Sequence, residues 1–301
     1  MSSNPRVPFR LSSARPAYAP PQGRPLIVHI VVNLENWIFG APMPRKILTA
    51  PHGVEQLPDV PNFAWVDYGM RCGLPRLIEA IAGRGLAASC AMNAGVVDAY
   101  RPLADAVLET GWELVGHGMH QRSVALETDE AGMIAEALGV LRDFSGQPVR
   151  GWLSPGLRET DHTPDLLRAQ GIDYCADWAL DDLPSWMTTK HGPMLAMPYS
   201  LEINDSVVHT IQYGQSDTML TRLQETLSVL EPESRRNPRV ITLGLHPHLI
   251  AVPHRFRHFE QMLDLLTARD DVVFMSGAQI ADWYAGEEPA PQNLDSRSLH
   301  S

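Results

Sequence analysis

The sequence predicts an α/β fold, a single (β/α) barrel of seven or eight parallel strands, and three observations predict it. Apolar strand-like runs alternate with helical stretches across residues 26–284, at a spacing of roughly 25–35 residues, the length of a strand–crossover–strand unit. Gly83, Gly111, Gly146 and Gly171 stand where helices between those strands should stop. Polar and ionisable residues gather directly after several strands, as they do where loops at the strands' C-terminal ends build a site.

Strands are expected over residues 26–33, 86–93, 112–116, 149–153, 173–177, 207–211, 240–245 and 272–275. Helices are expected over 74–82, 97–109, 129–144, 164–170, 217–230 and 256–268. Thr128, Asp129 and Glu130 form a helix start, with acids at the positive end of the dipole. Residues 1–25 hold six prolines and read as an extended arm, either mobile or wrapped around a neighbouring subunit. The single barrel domain then runs over 26–284, and 285–301 reads as a flexible tail. Residues 37–73 lack clear periodicity and leave the first strand, so they are expected to cover the pocket and supply Phe63, Trp65 and Tyr68.

Composition narrows the function. A chain of 301 residues with 44% hydrophobic and 20% charged residues is a globular protein with room for one large core. Its net charge of -11, without a basic stretch, argues against nucleic acid as a partner. No apolar run reaches the roughly 20 residues of a membrane span, and the proline-rich N-terminus lacks the apolar core of a signal peptide. Cys72, Cys90 and Cys175 are odd in number and widely spaced, which suits free thiols in the cytoplasm.

Four polar clusters follow strands: Asn33-Leu34-Glu35-Asn36-Trp37, the 116–121 run containing His117, His120 and Gln121, Asp177-Trp178 with Asp181 and Asp182 beyond, and His246-Pro247-His248. Ionisable groups at successive strand ends converge on one side of a barrel. Singly, each has a plain structural reading. Glu35 also suits an exposed turn, the glycines around His117 a tight turn, and Asp181 and Asp182 solvated or capping acids. His246 and His248 are either a two-imidazole metal clamp or, with Pro247 ending the strand, one inward histidine and one outward.

These segments in this order resemble the polysaccharide deacetylase superfamily, in particular its branch of cofactor-independent allantoinases and cyclic imide hydrolases. The resemblance rests on VNLENW (32–37), WVDYGMRCGLPRLIEAI (65–81), GWELVGHGMHQRS (111–123), GWLSPGLRET (151–160), DYCADWALDD (173–182) and LGLHPHLIAVPHR (243–255). It implies a distorted (β/α) barrel of about seven parallel strands. Metal-dependent members carry two consecutive aspartates after the first strand and two histidines four apart. Here those positions read Glu35-Asn36 and His117…Gln121, with His120 one residue early. Amide oxygens are poor Zn²⁺ ligands beside carboxylate and imidazole, and the arginine expected ahead of Pro155 is not evident.

The leading reading is therefore ring-opening hydrolysis of a C–N bond in a small cyclic ureide or imide, with no required cofactor. Glu35 is the expected base, His117 and His246 the expected acid or oxyanion partners, and Asp177 an orienting carboxylate. Asn36, Trp37, Trp65, Tyr68, Gln121, Trp152, Asp177 and Trp178 are the expected substrate contacts. One alternative is a Zn²⁺- or other divalent-metal-dependent deacetylase with Glu35 or Asn36, His117 and His120 as ligands. Another is a non-catalytic binding barrel. The allantoinase-like branch implies a homodimer or homotetramer.

Overall fold

The structure, a computed structural model, describes residues 4–50 and 53–291; the expected tail beyond 291 lies outside the described residues. Strand β1 (Leu26–Leu34) is buried along its whole length, as its unbroken apolar run LIVHIVVNL requires of a strand covered on both faces. Parallel ladders then follow chain order through β2 (Ser89–Met92), β3 (Glu113–Gly116), β4 (Gly151–Trp152) and β5 (Tyr174–Cys175). An antiparallel pair, β6 (Ser185–Met187) and β7 (Met194–Ala196), extends the sheet beyond β5. Strand β8 (Arg239–Leu245) pairs with the other side of β1. The short β9 (Val272–Phe274) pairs with the first three residues of β1. The predicted fold is the observed one, a curled and mostly parallel sheet forming a half-barrel.

The ladder stops at β8. Single contacts span the remaining gap: Val240 N donates to Asp182 O at 2.9 Å, Gly244 N to Ile203 O at 3.1 Å, and Thr242 Oγ1 to Pro198 O at 2.8 Å. An irregular segment thus closes the circle where a strand would stand.

The crossover helices bury apolar stripes against the sheet. Helices α1 (Val60–Tyr68) and α2 (Leu74–Ile81) lie between β1 and β2, joined by a wide π turn over Gly69–Gly73. Helices α3 (Val96–Ala99) and α4 (Arg101–Glu109) follow β2, and Pro102 at the start of α4 accounts for the break in the single helix expected there. Helix α5 (Glu130–Ser145) starts on Asp129, whose side chain accepts from Gly132 N, and stops on Gly146 at φ +65°. Then come α6 (Thr163–Ala169), α7 (Thr218–Ser234), α8 (Pro253–Thr267) and α9 (Gly277–Glu287). No helix among the described residues is long and apolar enough to cross a membrane.

Three expectations change. Residues 207–211, expected as a strand, form a π turn instead. Val208 N donates to Asn204 O at 2.9 Å and Ser206 N to Asn204 Oδ1 at 3.0 Å, so local capping overrides propensity. Helix α1 lies in the stretch read as irregular. Asp59 caps it, Pro61 sits in its first turn, and prolines around its start masked the signal. Helix α9 also carries the ordered chain past residue 284.

The N-terminal arm packs along its own chain. Buried Arg6 pairs with Asp165 at 3.0 Å and donates to Thr188 O. Arg15 pairs with Asp181 at 3.0 Å and donates to Ser185 Oγ and Tyr284 Oη. Asp181 is thereby a clasp for the arm.

Candidate active site

Parallel pairing puts the C-terminal ends of β1, β3, β5 and β8 on one face, and Glu35, His117, Asp177 and His246 stand just beyond those ends. Glu35 is 8% exposed. Its Oε2 accepts from Trp37 Nε1 at 2.8 Å, and its Oε1 lies 3.5 Å from His246 Nε2. Trp37 thus orients the carboxylate that follows it by two residues.

His246 is fixed from behind by Asp205. That fully buried carboxylate accepts from His246 Nδ1 at 2.6 Å, from His246 N at 2.6 Å and from Ile250 N at 3.2 Å. The π turn over 207–211 follows Asp205 directly, so the element misread as a strand is part of what presents it. Burial by itself would lower the His246 imidazole, yet Asp205 and Glu35 raise it to about 10. Burial by itself would raise Glu35, yet the hydrogen bond and charge of His246 hold it down at about 2. At neutral pH the pair is carboxylate and imidazolium.

Asp205 was missed in the sequence, which offered Asp177 as the orienting carboxylate. Asp177 instead accepts from Ser154 N at 2.7 Å. Burial and the Asp177 charge push the neighbouring Glu159 carboxyl well up, and Trp178 Nε1 donates to Glu159 at 2.6 Å. The only hint of Asp205 in the sequence was an Asn-Asp-Ser trio standing before a β-branched run, a turn signal read as a strand boundary.

His117 is 2% exposed, and its Nδ1 donates to Leu153 O at 2.5 Å. Burial holds its pKa below the usual histidine value, so the ring is neutral and Nε2 carries a lone pair. That Nε2 is buried without a hydrogen-bond partner among the described residues. The expected role of acid or oxyanion donor is therefore corrected: Nε2 accepts. His120 stands apart, its Nδ1 3.1 Å from Asn36 Nδ2. Since an amide nitrogen only donates, this lone pair of His120 is taken.

A divalent ion held by Glu35, His117 and His120 does not fit this arrangement. The lone pair on His117 Nε2, backed by a carbonyl, is what a metal ligand would show. The other donors are engaged elsewhere, and the three residues do not bring ligand atoms within 4.8 Å of one another. Among the described residues only Glu159, Cys175 and Asp177 do so. There, burial and the adjacent carboxylates keep the Cys175 thiol protonated.

A cavity of about 550 Å³ opens on Glu35, lined also by Asn36, Trp37, His120 and Gln121. The other expected contacts lie elsewhere. Trp65 stands edge-on to His248, with ring centres 4.7 Å apart. Tyr68 accepts from Arg76 at 3.1 Å. Trp152 is fully buried in the core, with Nε1 on Ser154 Oγ. Aromatic residues were assigned to the pocket by sequence proximity, whereas packing drew three of them away.

His246 and His248 form no clamp, since His248 turns into a box of Trp37, Trp65 and the His246 ring. Backbone presses on it from behind. A Cβ at Gly69 would stand 2.4 Å from His248 N, and one at Gly73 would stand 2.2 Å from Pro247 O. Gly69→Ala is expected to cost about 1–3 kcal/mol of stability as the overpacked turn pushes on residues 246–248. An unchanged denaturant midpoint would refute that close packing.

No protein-family model matches the chain. A Schizosaccharomyces pombe protein whose name assigns it to the polysaccharide deacetylases is 24% identical over 243 residues, 74% of this chain and 76% of that protein. Among solved structures, a probable polysaccharide deacetylase from Pseudomonas aeruginosa PAO1 superposes with a TM-score of 0.81 at 23% identity, covering 92% of this chain and 97% of that one. Puue allantoinase superposes with a TM-score of 0.81 at 23% identity, covering 92% and 96%. The two structures share the fold, the curated relative matches along most of its length, and the strand-end residues follow in family order. The chain is similar in sequence to polysaccharide deacetylases and shares the fold of their solved structures.

Proposed function

We propose that the protein hydrolyses a C–N bond in a small cyclic ureide or imide, with Glu35 as base and His246 as acid. One observation carries the reading: Glu35, an ionised carboxylate, lines a cavity of about 550 Å³ and has the His246 imidazolium 3.5 Å from it. That volume suits a small molecule. Glu35 takes a proton from water as its oxygen adds to the carbonyl carbon, and the His117 Nε2 lone pair accepts a hydrogen bond from the remaining O–H, which keeps its proton. His246 then gives its Nε2 proton to the departing nitrogen as the C–N bond breaks, and the proton on Glu35 returns to His246. A ring nitrogen flanked by a second carbonyl leaves more readily than an acetamide nitrogen, which favours a ureide or imide over an N-acetyl group. The allantoinase among the structural neighbours agrees with this choice.

A turnover screen of allantoin, hydantoin, succinimide, dihydropyrimidines and N-acetylated sugars, each with and without divalent metal, tests it. Ring opening that survives EDTA is the expected result. Deacetylation of the sugars that depends on added metal would overturn the reading.

A further inference from the structure

The cavity over Glu35 carries a positive charge that the hydrolysis above leaves unused. Arg45, Arg122 and Arg158 line it, and Glu35 is the one carboxylate among its lining residues. That carboxylate faces His246, which is itself cationic, so it does not balance the arginines. Three guanidinium groups around one small cavity are a marked local excess in a chain of net charge -11. Such a field concentrates anions and repels cations.

The three arginines differ in what holds them. Arg122 lies 3.5 Å from Glu127 and donates to Leu126 O, so it is partly neutralised at the rim. Arg45 is anchored by Ser206 O at 3.2 Å and by the Thr210 hydroxyl, partners that fix its position and leave its charge uncompensated. Arg158 is exposed and has no side-chain hydrogen bond or ion pair among the described residues. It follows a turn in which Gly156 and Leu157 both take positive φ, at 63° and 54°. Arg150 with Asp173 and Asp282, and Arg269 with Glu231 and Asp271, show the alternative of an arginine bound by carboxylates. Its place in the cavity wall makes Arg158 a donor fork at a ligand site, without a protein partner among the described residues.

We propose that the substrate carries a carboxylate, bound by Arg158 in the field of Arg45 while the scissile C–N bond faces Glu35. A planar guanidinium presents two parallel N–H groups that match the two oxygens of a carboxylate. The remaining lining supports a molecule with an apolar middle, since Ile38, Pro42, Pro44 and Leu126 stand among the polar groups. Arg158 thereby sets specificity by charge, and it takes no part in proton transfer. The assignment rests on the reading of Glu35 as the base, and its test is chosen to separate the two.

Hydantoin-5-acetate and hydantoin-5-acetamide are of similar size and differ in charge, so binding of each by calorimetry to the Glu35→Gln protein, in which turnover is slowed, reads the charge preference. With Arg158 intact, the carboxylate is expected to be preferred by about 10- to 100-fold, the range of a charge-assisted hydrogen bond. Arg158→Gln is expected to abolish the preference, Arg158→Lys to retain part of it, and rising salt to shrink it. Equal affinity for the two, including no binding of either at millimolar concentration, would overturn the proposal. A preference that persists in Arg158→Gln would overturn the role of Arg158. A carboxylate preference without hydrolysis would instead count against the hydrolytic reading and leave this one standing.

Discussion

Glu35→Gln is expected to lower the rate of C–N hydrolysis by about 10²- to 10⁴-fold, the usual contribution of a positioned general base. The amide keeps the shape of the side chain, and its oxygen can still accept from Trp37 Nε1, so the local frame is retained. It loses the charge that receives the water's proton. It also loses part of what holds His246 cationic, because Glu35 stands after Asp205 among the groups raising that imidazole. The substrate should therefore bind with a similar KM while kcat falls. Full activity in Glu35→Gln, measured under steady-state conditions with the best substrate of the screen, would remove Glu35 from the mechanism. Unchanged ligand binding with no turnover in either form would instead support a binding barrel.

Asp205→Asn is expected to cut the rate by a similar factor of about 10²–10⁴ and to change its pH dependence. With Asp205 in place the His246 imidazolium persists up to about pH 10, and the Glu35 carboxylate is ionised down to about pH 2. The sign follows from the shifts. The stabilisation from the raised histidine is complete below its unfolded pKa and is lost as pH rises through about 10. That from the depressed carboxyl is complete above its unfolded pKa and is lost as pH falls through about 2. The wild-type profile should thus be broad and flat through neutrality. Removing the negative charge of Asp205 lowers the His246 pKa, so the alkaline limb of kcat/KM should move toward neutral pH. A damaged fold would depress the rate at every pH and leave the limb where it was; that outcome would reduce Asp205 to a structural role.

The sequence showed the fold more fully than the site. Strand β1 was legible because burial on both faces leaves an unbroken apolar run, and Asp129 with Gly146 bracketed α5 by capping chemistry. The convergence of Glu35, His117 and His246 was legible because parallel strands send their ends to one face. Asp205 was not, since its role comes from a turn that looks like a strand in one dimension. The proton on His117 was equally hidden: it depends on Leu153 O, a backbone carbonyl 36 residues away. Trp152 and Tyr68 were misplaced because an aromatic near a strand end fills the core as readily as it faces a ligand. Arg158 drew no notice, being a lone charge in a loop until the cavity placed it beside two others.

The open ladder at β8 bears on how this protein fails. A continuous barrel can widen only by breaking a full row of backbone bonds, whereas here a few isolated contacts join β8 to residues 182–204. Asp205 hangs at the end of that joint. A transient parting there would draw the carboxylate from His246 and discharge the imidazolium while the sheet from β5 to β1 stays intact. Heat or mild denaturant should then silence the protein before it melts, with the loss reversible as long as the strands hold.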